Sequence, residues 1–565
     1  MFFLERMKND TLKALGLDQG SFSYPPDSKF GDLSLACFSL VKDKGTNPAQ
    51  VAKELVEIAI NNQKLKNIFS RIEAVGPYIN FYFLPAVIAT EVLSEIKKNG
   101  EDYGNNDNGN GKRVMIEYSN GNTHKEYHVG HLRNIAYGET VKNLLNKNGY
   151  KAIPVSYIND FGIHAAKTIW NWRLNPVYDE RPESKGFLLG KCYAEASQKL
   201  NDNKEGKDAV SEIMKNIESR EGVDYELWQK TRQWSIDYFN NIYNELDIRF
   251  ENIFYESEVI DDGLKMVDKL FAKGILKRSE GAIIADLSEY DLGVLPVVRS
   301  DGTALYPVAD LALASLKFDK YNLDESIYVV DVRQSLHFKQ LFKVLELSGY
   351  KQAMTHLSYD FVTLPEGMMA SRSGNVITYE DLKNKIKDHL AKKKKKRHSE
   401  WTPSRVEHVA MSLAISTIKF EMLKVGAEKT ITFNIDEAAR FEGLTACYLI
   451  YSYARMKSLL RKGGLLVRFA KTDYDLLKEE KEKELLVKMA KYPEVIISAN
   501  QKHNPSEITK YVFELSKMFN DYYHEVNILK ADKKIKVARL NLIKNLSSLV
   551  LNSFSLLGIE ALEEM

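Results

Sequence analysis

Glu117-Tyr-Ser-Asn-Gly-Asn-Thr-His-Lys-Glu-Tyr-His-Val-Gly-His131 decides how the middle of this chain folds. It leaves the apolar run Val114-Met-Ile116, which reads as a buried strand, and enters Leu132-Arg-Asn-Ile-Ala136, where the apolar spacing turns helical. A strand that passes through a small-residue turn into a helix leaves unpaired N–H groups at the helix start, a seat for phosphate. Gly130 lets backbone come close to a nucleotide, and His128 and His131 can reach phosphate oxygens. The stretch therefore reads as an ATP site. Its bland alternative is a pair of capping or core histidines.

Downstream, Tyr150-Lys-Ala-Ile-Pro-Val-Ser-Tyr-Ile158 supplies a second strand. Strand, helix, strand is a βαβ unit, hence a parallel sheet with a nucleotide crevice. Residues from about 168 to 285 are helix-rich, with many Trp, Tyr and Glu, and read as an insertion into that sheet. The sheet is expected to resume in Ala282-Ile-Ile-Ala-Asp-Leu287, Ser326-Ile-Tyr-Val-Val-Asp331 and Leu357-Ser-Tyr-Asp-Phe-Val362. Beyond Ser404 the spacing predicts helices over 410–423, 436–460, 479–489, 505–523 and 533–557, an α-helical bundle. Upstream, helical periodicity is read over 30–40 and 50–60, and alternation over 78–83 predicts a strand. Gly104-Asn-Asn-Asp-Asn-Gly-Asn-Gly111, with no apolar side chain, reads as a linker.

The fold class is thus multidomain α/β: an α+β unit over 1–104, a Rossmann-like parallel-sheet catalytic domain over 105–398 with a helical insertion at about 168–285, and an all-α bundle over 399–565. A length of 565 residues suits three such cores. No apolar run approaches the ~20 residues of a membrane span, and Met1-Phe-Phe-Leu4 is too short for a signal segment. Cys37, Cys192 and Cys447 are too few and too scattered for a disulfide framework or a four-cysteine zinc site. A cytoplasmic protein without membrane contact or protein-bound metal is expected. The net charge of +2 reveals no polyanionic partner in bulk, but 392–397 is an uninterrupted basic run, and Lys462, Arg468 and Lys471 cluster further on. Such runs are more often solvated linkers than contact surfaces.

Two further segments carry chemistry. Met368-Met-Ala-Ser-Arg-Ser-Gly-Asn-Val-Ile377 joins small residues and a cation in a loop, which suits a departing pyrophosphate as well as it suits a plain Ser/Gly turn. Tyr306-Pro-Val-Ala-Asp310, with Gln334 downstream, offers acceptors to a cation, although an Asp at a helix start is usually a cap.

Together these elements resemble the class I arginyl-tRNA synthetases along nearly the whole length. Asn122-Thr-His-Lys-Glu-Tyr-His-Val-Gly-His-Leu-Arg133 is similar to the family's extended first signature, and Met369-Ala-Ser-Arg-Ser-Gly374 to its second. Asn159-Asp-Phe-Gly-Ile-His164 resembles its Gly-Asp-Trp-Gly-Thr-Gln. Ser300-Asp-Gly-Thr-Ala-Leu-Tyr-Pro-Val-Ala-Asp310 and Gln334-Ser-Leu-His-Phe338 resemble its arginine-pocket segments. Ile431-Thr-Phe433, Phe441-Glu-Gly443 and Tyr448-Leu-Ile-Tyr-Ser-Tyr-Ala-Arg455 look like the start of its anticodon-binding domain, and Phe30-Gly-Asp32 like the module that contacts the tRNA elbow.

The resemblance implies activation of L-arginine with ATP and Mg2+, then transfer to tRNA(Arg), by a monomer that needs tRNA for the first step. Lys125, His128, His131 and Arg372 are the implied catalytic residues, and His128, Gly130, His131, Ser371 and Arg372 the implied ATP-binding set. Asp310 is expected to take the guanidinium, framed by Tyr306 and Gln334, while Glu117, Ser119 and Asn122 hold the other end of the amino acid. Met368 and Ser371 stand where the family's second signature has lysines, and Lys125 is expected to supply the missing charge. Gly121 replaces a proline and His164 a glutamine. Tyr448, Tyr451 and Tyr453 are candidates to stack on anticodon bases, or else pack in the bundle core. With a bound tRNA, the basic run becomes as suited to phosphate contact as to a linker. Competing readings are a cysteinyl enzyme, which would need zinc-ligating thiolates, a nucleotidylyltransferase, which needs no long helical tail, and a catalytically silent tRNA-binding paralogue.

Overall fold

A computed structural model describes the chain except at residues 42–46, 182, 364, 366–376, 398 and 465–471, and except for the side chains of 394, 396 and 397. At the start of the chain come α1 (Phe3–Ala14), β1 (Ser21–Ser23), β2 (Leu33–Ala36), α2 (Pro48–Asn61), α3 (Gln63–Lys66), β3 (Phe69–Val75), β4 (Tyr78–Phe83) and α4 (Pro85–Asn99). The strands pair antiparallel in the order β1-β2-β4-β3. Alternation over 78–83 does give a strand, but the helical reading of 30–40 fails. Leu33 and Leu35 both point into the core at period two, and Ser34 Oγ donates to Asn80 Oδ1 of β4 at 2.7 Å. A stretch as short as Leu33-Ser-Leu-Ala36 fits either period, and pairing with β4 decides between them. The Asn/Gly segment is no free spacer either. Its amides at Asn106, Gly109 and Gly111 donate to the carbonyls of Lys147, Asn148 and Gly149 at 2.7–3.0 Å.

Val114, Met115 and Ile116 are buried because β5 (Arg113–Glu117) is the central strand of a five-stranded parallel sheet. Strands covered on both faces read as unbroken apolar runs rather than alternating ones. β5 leads into α5 (Val129–Lys147) and returns through β6 (Lys151–Ile158). Helices α6 (Ile163–Leu174), α7 (Lys185–Lys199), α8 (Lys204–Glu218) and α9 (Gly222–Glu245) then leave the sheet. They close small cores of their own around Ile169 and Trp228, and around Trp172 and Leu188.

The sheet resumes at β7 (Asn252–Tyr255), which pairs with β6 and is followed by α10 (Glu256–Ala272). Residues 282–286, expected to rejoin the parallel sheet, do not. β8 (Lys277–Ser279), β9 (Ala282–Asp286) and β10 (Val294–Val298) form a separate antiparallel sheet. Their turns are too short for the crossover that a parallel pairing needs. After α11 (Tyr306–Tyr321), β11 (Glu325–Asp331), α12 (Ser335–Ser348) and β12 (Ala353–Tyr359), the main order is β12-β11-β5-β6-β7.

Beyond the sheet, β13 (Val362–Thr363) pairs with β14 (Ile431–Thr432) across α13 (Tyr379–Arg397), which carries the basic run, and α14 (Pro403–Leu423). Arg133, buried on α5, ties this region down: its guanidinium donates to the carbonyls of Asp360, Phe361, Gly426 and Ala427 at 2.7–3.2 Å. The expected helix over 436–460 is two helices, Ile435–Ala438 and Ala446–Gly463, parted by a turn in which Gly443 has φ +73°. Helices Glu480–Ala490, Tyr492–Gln501, Ser506–Glu525 and Lys533–Leu557 complete the bundle. Tyr453 packs in its core against Phe554. Tyr448 and Tyr451 are half-buried, the first accepting from Asn520 Nδ2 at 3.0 Å and the second from Arg455 at 2.9 Å. Among the described residues no helix is long and apolar enough to cross a membrane.

Candidate active site

His128 occupies the N-cap of α5 and His131 its third position, and the two cap reciprocally. Gly130 N–H donates to His128 Nδ1 and His128 N–H donates to His131 Nδ1, both at 3.1 Å. A ring nitrogen that accepts an N–H carries no proton of its own, so in both neutral rings the hydrogen sits on Nε2. Burial and the nearby Lys125 ammonium push His128 down to about 4. Burial, His128 and Lys125 hold His131 well below its ordinary value. Both imidazoles are neutral donors at pH 7. Their ring centroids are 3.9 Å apart, and His131 stacks on Tyr127 at 4.7 Å. With Asn122, Lys125, Glu126 and Tyr193 they line a cleft of about 110 Å³, in which Lys125 Nζ stands 5.3 Å from the Tyr193 ring centroid.

A larger cavity of about 380 Å³ opens between the sheet and helices α11 and α12. Tyr306, Asp310 and Gln334 all line it. Tyr306 and Asp310 are one turn apart on α11, which places them on one face. His337 Nε2 lies 2.7 Å from Asp310 Oδ2. Glu117 lines the floor, where Oε1 accepts from Asn120 Nδ2 at 3.1 Å and Oε2 pairs with buried Lys317. Tyr157 and Tyr328 complete the polar lining, and burial together with Asp310 and Glu117 raises both phenols.

Other candidates from the sequence are placed elsewhere. Ser119 is fully buried outside both cavities: its N–H donates to Asn134 Oδ1 at 2.5 Å and its hydroxyl is shared with Tyr127 at 2.7 Å and Tyr243 at 3.2 Å. Asn122 lines the smaller cleft with His128 and His131 rather than the larger cavity. Met368, Ser371 and Arg372 lie outside the described residues, as do Arg468 and Lys471. His164 is buried close to His124, and its Nε2 has no partner among the described residues.

Sequence reasoning missed Glu256, the first residue of α10. It is only 8% exposed, its Oε2 has no hydrogen-bond partner among the described residues, and burial plus the charges of Asp310 and Asp160 push its carboxyl up to about 8. Asp160 fixes this corner by accepting from Ser257 N–H at 2.9 Å and Ser257 Oγ at 2.7 Å and by pairing with Arg232. An acid directly after a short strand and opening a helix was the available signal, since open parallel sheets bind ligands at the carboxyl ends of their strands. Lys317 was legible only once Asp310 stood on a helix, seven residues earlier on the same face.

The chain is similar to known proteins over its whole length. A family description of class I tRNA synthetases (R), catalytic domain, matches residues 92–434; a DALR anticodon-binding domain matches 449–565, and an arginyl-tRNA synthetase N-terminal domain matches 7–83. The arginine–tRNA ligase of Bdellovibrio bacteriovorus is 35% identical over 551 residues, 96% of this chain and 93% of its own length. That of Clostridium perfringens is 33% identical, with 99% of each chain covered. In fold, the chain matches the Thermus thermophilus arginyl-tRNA synthetase with a TM-score of 0.82 at 24% identity, over 100% of this chain and 99% of the other. With two separate cavities at the carboxyl ends of a parallel sheet, and with full-length relatives of this identity, the chain belongs to the class I arginyl-tRNA synthetases.

Proposed function

We propose that the chain joins L-arginine to tRNA(Arg) in two steps, using ATP as its Mg2+ complex, and that the two cavities divide the work. The larger one takes arginine, with the guanidinium between Asp310 and Glu256 and framed by Tyr306 and Gln334; Glu117 lies at its floor. The α-carboxylate then faces the cleft of Asn122, Lys125, His128 and His131, where ATP lies with Gly130 close to the nucleotide. A carboxylate oxygen of arginine attacks the α-phosphorus, the bond to the bridging oxygen breaks, and pyrophosphate leaves with those electrons. The terminal ribose hydroxyl of tRNA next attacks the arginyl carbonyl carbon, losing its proton as AMP departs. No covalent enzyme intermediate is needed, so rate comes from positioning and from donors aimed at developing charge. The neutral Nε2–H groups of His128 and His131 and the ammonium of Lys125 are such donors, and Ser371 and Arg372 join them in this reading.

The observation that carries it is a cavity lined by Asp310 and Glu117, with Glu256 coupled to Asp310 and one of its oxygens without a partner among the described residues, beside a helix start with two neutral imidazoles. The protein is taken as a cytoplasmic monomer whose 1–104, 105–398 and 399–565 units contact tRNA, activate arginine and read the anticodon respectively. Arginine-dependent ATP–pyrophosphate exchange tests the reading, with exchange expected only when tRNA is present. No exchange in the presence of tRNA would overturn it.

Lys125→Ala is expected to lower the exchange rate by at least about tenfold, or ~1.4 kcal/mol, with little change in KM for arginine. A smaller loss in single-turnover adenylate formation refutes the charge-supplying role.

Glu256 gives a pH signature. Its carboxyl is raised from 4.5 to about 8 in the folded free protein, so the folded form binds a proton that the unfolded chain releases. Stability from this group is present below pH 4.5 and is lost as pH rises through about 8. A bound guanidinium reverses the preference. Arginine binding at pH 7 should therefore release up to about one proton, fading to none above about pH 9. Calorimetry in buffers of different ionisation heat measures this release. Glu256→Gln should show none, with KM for arginine raised about tenfold or more.

A further inference from the structure

Tyr306, Asp310, Leu313 and Lys317 follow one another down the face of α11 that lines the larger cavity. Seven residues place Lys317 two turns, about 10 Å, further along the axis than Asp310. Exposure falls in that order, from 70% at Tyr306 to 0% at Lys317. Lys317 thus stands at the closed end, where its ammonium pairs with Glu117 and lies 5.0 Å from the Tyr328 ring centroid and 5.6 Å from that of Phe254. Two carboxylates line this cavity, Glu117 and Asp310, and Glu256 stands close enough for its charge to couple to Asp310; their states differ. Glu117 is satisfied by Lys317 and Asn120, Asp310 by the His337 ring, and Glu256 keeps an oxygen with no partner among the described residues.

A cavity built for a mobile cation gains nothing from a spare carboxylate in its depth. There a guanidinium could settle too far in and draw its own α-carboxylate away from ATP. We propose that Lys317 is a specificity-determining residue: as the resident cation of the cavity floor it occupies Glu117, halts the substrate cation at Asp310 and so sets the side-chain length that the enzyme accepts. The proposal rests on the assignment of this cavity to arginine. Lys317 acts through Glu117 and on the depth of binding and is not itself a reacting group.

The test compares wild type, Lys317→Ala, Lys317→Arg and the double variant Glu117→Gln/Lys317→Ala in tRNA-supported ATP–pyrophosphate exchange. L-Arginine and L-homoarginine, one methylene longer, are the substrates. Lys317→Ala frees Glu117 as a deeper station, so kcat and KM for arginine should fall together by about tenfold, the signature of binding in the wrong register. Homoarginine, whose carboxylate can still reach ATP from that depth, should gain about tenfold in kcat/KM relative to arginine. The double variant removes the spare anion and should return the ratio of homoarginine to arginine kcat/KM to within about threefold of the wild-type ratio, as should Lys317→Arg alone.

Unchanged arginine constants and unchanged rejection of homoarginine in Lys317→Ala would overturn the proposal, as would a double variant that behaves like the single one. Should Lys317→Ala not fold, Lys317→Gln, which keeps a donor for Glu117 but no charge, decides by the same homoarginine ratio. Absence of arginine-dependent exchange in wild type would overturn the assignment of the cavity instead, which separates the two failures.

Discussion

Replacing Asp310 with alanine is expected to lower kcat/KM for arginine by roughly 10³-fold, about 4 kcal/mol, and to do so mainly through KM. The size follows from what remains behind. A guanidinium presents donors in a planar fork that a carboxylate meets with two parallel hydrogen bonds, and no neighbouring group offers the same pair of acceptors once Asp310 is gone. Glu256 alone would then hold the cation, and Glu117 cannot help because Lys317 already occupies it. Asp310→Asn keeps the shape and one acceptor but puts an N–H opposite donors, so it should rescue little. Steady-state exchange at saturating ATP and tRNA measures both variants. A loss below about tenfold in Asp310→Ala would show that the guanidinium binds elsewhere.

The second large effect is expected at His131. His131→Ala should lower kcat for adenylate formation by about 10²–10³-fold, the usual loss when one preorganised donor to a developing charge is removed, with KM for arginine nearly unchanged. The ring's Nδ1 is held by His128 N–H, and burial together with His128 and Lys125 keeps it neutral, so its Nε2–H is aimed before substrate arrives. The neutral state also shapes the pH profile. His128, pushed down to about 4, and His131, well below its ordinary value, remain neutral donors through the range where an ordinary histidine would charge. At saturating arginine, kcat/KM for ATP should therefore show no acid limb near pH 6.5 from these groups. His131→Asn, which keeps a side-chain donor and an acceptor for the cap, should recover part of the lost rate; rates equal to those of alanine would point to a purely structural ring.

Much of this was legible along the chain. The strand, turn and helix around His128 followed from an apolar run, small residues and a change of period, all within thirty residues. Asp310, Tyr306 and Gln334 were singled out as acceptors suited to a cation and tied to arginine by the family resemblance, and they do share one cavity. The misreadings have a common cause. Leu33 and Leu35 lie in a strand because β4 is there to pair with, and residues 282–286 belong to a small antiparallel sheet because their partners lie only a short turn away. Local spacing does not reveal which partner is available. Ser119, singled out by its position in the motif, is buried outside both cavities and hydrogen-bonded to Tyr127 and Tyr243.

What the sequence alone determined is the alternation of elements around the sheet, the strand, turn and helix at His128, and residue types suited to a nucleotide and a cation, with arginine implied by the family resemblance. These are short-range matters of period, capping and chemical complementarity. Tertiary structure decided which carboxylates remain open. Glu117 and Glu256 are the same residue type in similar strand-to-helix settings, but Lys317, 200 positions away from Glu117, pairs with the first, while burial and the charge of Asp310 push the second up to about 8. A carboxylate's state depends on the charges and solvent within a few ångströms of it, and those neighbours are set by how distant segments pack.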